Sequence, residues 1–589
     1  MSTVQIPLLV HASHEAGVKM GGIGAVLDGL LGSPVYNAAV GRTILAGPIN
    51  VQDRQEMDRL TTPANGLTIL YSSVHRVNKV AQHLADALQA VEEQMHVRFI
   101  YGRRRFGEYE HEVILVDAQS IKAQVVNDYK YALWESWRLP SDRYESNREY
   151  NYYLSTGEPL CAALDVITAD MPEDAGRYII AHEWLGMPLV LSVLLHCPDR
   201  YKTVFYAHEV ATARLLVEND KGHDTRFYNV LRAGLARGHS LSEVFGDQSW
   251  YYKQPIIERA TLCDGIFAVG DLVLDELRFL GGNFRSAQIS LVYNGVPDDQ
   301  ITIEQKQHSH DLLQDYAENL LGYRPDYVFS HVSRMVLSKG LWRDIRVLEH
   351  LDGLLAAAGK QAVLFVVSTA TPSGRLPADV YRWEREYGWP LWHRRDNGDL
   401  VEDEVDYFLK TLQPFNLMSQ AIRGILVNQF GWSRERCGRR MPAEMTFADL
   451  RAGTDLEFGQ SIYEPFGIAQ MEPLSAGALS VVSNVCGCTG FVNKVAGDRL
   501  LANVVVADYV TLPPYWQIRS PWDALWISQS VREDVEARRS QQVAQLVFER
   551  LPRDEAGTAH LLETGQNVAR AMGWNVVVRD YLLPALAKL

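Results

Sequence analysis

The chain has 589 residues, 47% hydrophobic and 22% charged, and a net charge of −15. A single core stops growing near roughly 250–300 residues, so this length implies two large domains. The composition is globular rather than disordered, and the acidic balance argues against a nucleic-acid or anionic-membrane surface. Six cysteines without a C-x-x-C pair suit reduced thiols better than a disulfide framework or a zinc site. The apolar opening from Gln5 to Val10 runs at once into His11, His14 and Glu15, too short for a signal peptide. No apolar run reaches the roughly 18–20 residues that span a bilayer. A cytoplasmic location with no membrane span is expected.

The first segment with chemical content is Glu15 followed by Lys19-Met20-Gly21-Gly22-Ile23-Gly24. Such glycines let backbone approach a phosphate or sugar closely, although there is no Walker lysine and no G-x-G-x-x-G fingerprint. Strands are predicted over 178–181, 203–207, 265–269, 328–332, 362–367, 479–483 and 503–507. Amphipathic helical stretches such as 342–357 and 535–551 lie between them, an alternation that predicts parallel α/β architecture.

In open α/β sheets, ligands sit beyond the carboxyl ends of strands. His182 and Glu183 follow the strand at 178–181, His208 and Glu209 that at 203–207, and Ser333 and Arg334 that at 328–332. A lone histidine is more often structural, whereas two at adjacent strand ends favour ligand contact for His208. A metal held by His182, Glu183, His208 and Glu209 is the chemical alternative. The turn Asn294-Gly295-Val296-Pro297 marks a division near 297–326. The stretch 372–450, rich in Trp, Arg, Pro and Gly, reads as an insertion poor in strands and a candidate surface for homo-oligomeric contact.

Two later segments carry charge at defined spacing. Arg334 and Lys339 lie five apart in Ser333-Arg334-Met335-Val336-Leu337-Ser338-Lys339-Gly340, and two fixed cations stabilise a departing diphosphate. A solvated basic turn is the plainer account. In Glu464-Pro465-Phe466-Gly467-Ile468-Ala469-Gln470-Met471-Glu472, proline suits the first helical position, so Glu464 is expected at a helix entrance. Glu472 then lies roughly 12 Å away, close to the span from hexose to ribose in a sugar nucleotide. The amides near Phe466 and Gly467 would face the diphosphate. Spacing alone favours the plainer account, a capping acid plus a surface carboxylate.

The Glu464 to Glu472 segment resembles the E-x7-E signature of retaining glycosyltransferases with two Rossmann-like domains. Residues 333–340 are similar to the S-R-x4-K-G segment of glycogen and starch synthases, and 15–22 to their first loop. Ala181-His182-Glu183-Trp184 resembles their H-E-W or H-D-W segment. His208, with Arg214 six residues beyond, resembles the catalytic-site histidine and arginine of the animal and fungal enzymes. The motifs are colinear from residue 15 to about 492. Two features depart from one parent type. The Arg334–Lys339 spacing is that of the bacterial enzymes, and Cys486-Gly487-Cys488 replaces the usual small-residue phosphate loop.

The resemblance implies an α/β fold of two Rossmann-like domains facing a central cleft, the GT-B architecture. It implies an acceptor-side domain over 1–310, a donor domain over 311–554 carrying the insertion of about 372–450, and helices over 555–589 returning to the first domain. Glu464 would hold the donor sugar and Glu472 its ribose. Arg334 and Lys339 would neutralise the diphosphate, with Lys19, Gly21, Gly22, Arg214, Phe466 and Gly467 completing the donor contacts. His208 would touch the sugar, and His182 and Glu183 would face the acceptor. The implied reaction moves a hexose from ADP-glucose or UDP-glucose, as substrate, to an α-glucan such as glycogen, without cofactor or metal. A same-fold transferase making a disaccharide or a non-glucan polysaccharide is the alternative. A non-catalytic carbohydrate-binding protein is the third reading.

Overall fold

The computed structural model describes residues 6–369, 375–428, 432–497, 499 and 501–589. Gln5 and parts of the 372–450 stretch lie outside the described residues. The chain forms two compact units. One comprises Met1–Thr212, His239–Gly295 and Trp574–Leu589, the other Ala213–Gly238 and Val296–Gly573.

Among the described residues, the first unit is built on ten strands: β1 (Ile6–Ala12), β2 (Val40–Pro48), β3 (Leu67–Ser72), β4 (Val77–Asn78), β5 (Arg98–Phe106), β6 (Tyr109–Asp117), β7 (Arg177–His182), β8 (Lys202–Ala207), β9 (Gly265–Ala268) and β10 (Ile289–Leu291). Their order is β10-β9-β8-β7-β1-β2-β6-β5-β3-β4. Pairing is parallel from β10 through β6 and antiparallel from β6 to β4. The order reverses at β1, which lies between β7 and β2, so β1 and β7 flank the switch point of this sheet.

The second unit holds β11 (Tyr327–Ser333), β12 (Ala362–Ser368), β13 (Ile422–Val427), β14 (Leu456–Gly459), β15 (Leu479–Ser483) and β16 (Val504–Ala507). All pair parallel in the order β13-β12-β11-β14-β15-β16, the doubly wound dinucleotide-fold order with its switch point between β11 and β14. Helices on both faces explain why β12 is buried throughout. Its alternate residues enter opposite cores. Leu364 and Val366 join Phe329 and Leu456, whereas Val363, Phe365 and Val367 join Tyr316 and Trp432. The helix Leu341–Ala357 buries Leu341, Ile345, Leu348, Leu351 and Leu355 at helical spacing.

All seven strands expected from the sequence form within a residue or two. The 372–450 stretch differs from its reading, because residues 422–427 are the regular edge strand β13, paired with β12. Arg423 and Gly424 interrupt its apolar run. The Arg423 guanidinium goes to the carbonyls of Asn416 and Ser419, so the charge does not prevent pairing.

The division of the chain also falls elsewhere than at 310 and 311, since the helix Ile303–Leu321 runs through that point within the second unit. The helix Glu555–Ala571 stays with the second unit: a Cβ on Gly477 would meet the Leu562 backbone at 2.6 Å, and one on Gly565 would meet Leu474 O at 2.1 Å. Only the segment from Trp574 joins the first unit, where the Trp574 indole fills the space beside Gly29 and Gly295. The excursion Ala213–Gly238 is held in the second unit by a buried ion network. Arg343 bonds Asp224 at 2.7 and 2.9 Å and Glu536 at 2.9 Å, with all three side chains at 0% exposure. No helix among the described residues is long and apolar enough to cross a membrane.

Candidate functional site

In the second unit, the loops that leave β11 and β14 are the two charged segments of the sequence. The turn Leu337–Lys339 seats against the second loop, its Ser338 carbonyl accepting from Ile462 N at 2.8 Å and Tyr463 N at 3.4 Å. Gly340 is required there: its φ is 61°, and a Cβ would lie 2.5 Å from Gln460 O. This docking brings Lys339 into a short ion pair with Glu464, both mostly buried. Ser461 Oγ approaches the same Glu464 oxygen at 3.3 Å. Burial alone pushes the Glu464 carboxyl up, but the Lys339 ammonium and the Arg214 charge more than offset it and hold it below 4.5. Arg214 lies with its guanidinium 5.8 Å from the Tyr463 ring centre, a cation–π geometry. Arg334 is exposed, and among the described residues its side chain makes no hydrogen bond or ion pair.

The expected helix entrance at Glu464-Pro465 does not form. Glu464 makes an isolated parallel bridge with Cys486, and the helix starts later, at Ile468–Met471, capped by Gly467 at φ 91°. Tertiary pairing overrides the local proline preference here. Gly487 N donates to Glu464 O and Cys488 N to Phe466 O, each at 2.8 Å. A Cβ on Gly487 would sit 1.7 Å from Pro465 O. The Cys486-Gly487-Cys488 turn is therefore a clamp on residues 464–466, and those two amides are already engaged. Cys486 and Cys488 are buried free thiols with sulfurs 3.3 Å apart.

Glu472 opens the turn Glu472–Ala476, and Arg451 holds it at 3.2 Å. The same guanidinium pairs with buried Glu457 at 3.2 Å and donates to Ala469 O. Sequence reasoning missed Arg451, which stands 21 residues before its partner with no motif around it.

In the first unit, Glu15 organises the glycine turn by accepting from Met20 N and Gly21 N, both at 2.6 Å. Gly24 must lack a side chain because a Cβ would meet Glu15 Oε2 at 2.4 Å. Gly21 caps the helix Gly22–Leu31. Lys19 is half exposed and pairs with Asp28 at 2.9 Å.

His182 ends β7 fully buried, and His208 follows β8, the rings parallel within 9° at a centroid separation of 5.1 Å. His182 Nδ1 lies 2.8 Å from His208 Nε2. Burial, reinforced by the charge of His14, takes His208 down to about 3, so the ring is neutral. Glu183 adopts a left-handed backbone (φ 65°), uncommon for a residue with a side chain. Its Oε1 accepts from His208 N and Glu209 N, while Oε2 is buried and unbonded. Burial, then repulsion from Glu209, pushes this carboxyl up to about 8. Among the described residues, no group of three or more His, Cys, Asp or Glu is arranged to hold a metal ion. His208 and Arg214, six apart in sequence, fall in different units.

No protein-family model and no curated protein matches the chain. Among solved structures it is similar to an α,α-trehalose-phosphate synthase (UDP-forming) from Burkholderia xenovorans, solved in complex with glucose-6-phosphate. That likeness has 10% identity and a TM-score of 0.51, over 99% of this chain and 100% of the other. It is also similar to α,α-trehalose 6-phosphate synthase from Burkholderia multivorans, at 12% identity and TM-score 0.49 over 99% and 98% of the chains. The catalytic domain of starch synthase IV from Arabidopsis thaliana, bound to ADP and acarbose, is 14% identical at TM-score 0.46 over 96% and 99%. At these identities the likeness is one of fold. The fold is α/β, with two largely parallel-sheet units of the GT-B class.

Proposed function

We propose that the protein is a hexosyltransferase that moves glucose from a nucleotide diphosphate sugar, ADP-glucose or UDP-glucose, to an α-glucan such as glycogen. Configuration is retained, as the resemblance to the E-x7-E enzymes implies. The observation that carries this reading is the Lys339–Glu464 pair, mostly buried at the switch point of a dinucleotide-type sheet. An ammonium and a carboxylate held there suit a ligand that presents phosphate oxygens beside sugar hydroxyls.

In this reading Glu464 accepts hydrogen bonds from the sugar hydroxyls. Lys339 turns toward the departing diphosphate, joined by Arg334 from the same loop and by Arg214. The backbone at Phe466 and Gly467 lines the diphosphate, Glu472 takes the ribose, and Lys19, Gly21 and Gly22 belong to the donor contacts. Neutral His208 contacts the sugar where positive charge develops, and His182 and Glu183 belong to the acceptor side. No cofactor enters the reaction as written, and a cytoplasmic enzyme fits it. The 372–450 stretch is the proposed place for any contact between copies.

The test is turnover with ADP-glucose, UDP-glucose and GDP-mannose, each with glycogen, free sugars and glucose-6-phosphate as acceptors. Chain extension of glycogen supports the first reading. Transfer only to small acceptors selects a disaccharide-forming enzyme, for which glucose-6-phosphate is the first compound to try because a relative in fold was solved with it. Neither transfer nor hydrolysis of any donor would leave a carbohydrate-binding protein.

A further inference from the structure

Five side chains of the first unit form one hydrogen-bonded line. Thr43 Oγ1 lies 3.0 Å from Tyr36 Oη, and Tyr36 Oη lies 2.9 Å from His11 Nε2. His11 Nδ1 is 2.9 Å from His182 Nε2, and His182 Nδ1 is 2.8 Å from His208 Nε2. The links come in turn from β2, the helix Pro34–Ala39, β1, β7 and the end of β8, so the line crosses the switch point of the sheet. Tyr36, His11 and His182 are fully buried, and Thr43 at the far end is nearly so. The line therefore ends in the interior. It orients groups but conducts no proton to solvent.

Burial, helped by the next imidazole in the line, takes His11 and His182 well below the usual histidine range. With His208 also lowered, all three rings are neutral near pH 7. A neutral imidazole has one N–H and one lone pair. Rings joined Nδ1 to Nε2 in series must therefore share one tautomer, all Nδ1–H or all Nε2–H.

The phenol at the inner end decides between them. A phenol, with an ordinary pKa of about 10, is a stronger donor than a neutral imidazole N–H, and the imidazole nitrogen is the stronger acceptor. Tyr36 then donates to His11 Nε2, His11 Nδ1–H to His182 Nε2, and His182 Nδ1–H to His208 Nε2. In such a series each bond polarises the next, which strengthens the common sense.

We infer that Tyr36, His11 and His182 are positioning residues that hold His208 in its Nδ1–H tautomer, making it a fixed hydrogen-bond donor toward a sugar oxygen. The sugar part rests on the transferase reading above, and the tautomer part does not.

The experiment uses the full chain labelled with 15N-histidine, whose two-bond 1H–15N correlations report the tautomer of each ring. His11, His182 and His208 should all give the Nδ1–H pattern. Tyr36→Phe keeps the ring but removes the donor, so His208 should populate both tautomers. Thr43→Val, which leaves the phenol in place, should keep the single one. If Tyr36→Phe does not fold, His11→Phe, whose ring can neither donate nor accept, breaks the same line one link further on and gives the same readout. Turnover of Tyr36→Phe should fall roughly 10- to 100-fold with donor KM unchanged, the range for groups that orient a working imidazole. Mixed tautomers in the native chain, or an unchanged His208 signal in both breaking variants, would overturn the inference. If the native chain transfers no sugar at all, the sugar part falls while the spectra still decide the tautomer part.

Discussion

Lys339 and Glu464 form a mostly buried ion pair although 125 residues separate them in sequence. Removing one partner leaves the other charge desolvated, so Lys339→Ala should cost about 1–3 kcal/mol of unfolding free energy. The double variant Lys339→Ala/Glu464→Gln should recover most of that loss. Urea titration measures both, and a Lys339→Ala protein as stable as the native one would mean that water screens the pair. Glu464 has a depressed folded pKa, so its contribution is present above pH 4.5 and is lost as pH falls through the lower folded value. Glu464→Gln should flatten the stability profile below pH 4.5. In the transferase reading, each single variant also loses about 10²- to 10³-fold in turnover.

Glu183 has the opposite sign. Its folded pKa of about 8 exceeds the ordinary 4.5, so the protonated carboxyl stabilises the fold below pH 4.5. That contribution falls away as pH rises toward 8, on the order of a few kcal/mol. Glu183→Gln should lose less stability than the native protein between pH 5 and 8 in paired denaturation curves. Parallel profiles for the two proteins would refute a raised Glu183 pKa.

Two glycines separate structural from ligand-related roles. A Cβ on Gly487 meets a carbonyl at 1.7 Å, so Gly487→Ala should destabilise the protein by about 1–3 kcal/mol through overpacking. A Cβ on Gly22 meets nothing within 4 Å, and Gly22 begins a helix, so Gly22→Ala should be neutral or up to about 1 kcal/mol stabilising. If the Gly21-Gly22 turn approaches donor phosphates, Gly22→Ala should nonetheless bind the nucleotide sugar more weakly by calorimetry. Full affinity in a stable Gly22→Ala protein removes this turn from the donor site.

Arg451→Met strips the counter-ion from buried Glu457 and the anchor from Glu472. The expected cost is about 1–3 kcal/mol in stability, together with a raised donor KM if Glu472 meets the ribose. Arg451→Met that is destabilised but shows native KM would assign Arg451 to folding only.

Some of this was legible from residue order. The strands at 178–181 and 362–367 announced themselves as apolar runs, because parallel strands covered on both faces need little else. β13 did not, since Arg423 and Gly424 break its run and only the paired neighbour β12 shows where that charge goes. Glu464-Pro465 reads locally as a helix start, yet the bridge to Cys486 and the clamp by Gly487 hold it out of the helix. Local preference yields there to contacts made 22 residues away.

The sequence by itself determined the α/β class and set apart the segments proposed to bear chemistry: the glycine turn, the strand-end histidines, the Arg334–Lys339 loop and the two glutamates. Each is a local pattern, set by apolar periodicity or by polar residues directly after a strand. Only the tertiary structure decided which of these meet. It joined Lys339 but not Arg334 to Glu464, gave Glu472 its Arg451, and divided the chain at Gly295 and Val296. It also threaded Tyr36 and His11 to His208. Such partners come from different strands of a sheet, and their sequence separation depends on connecting lengths that chemistry does not constrain.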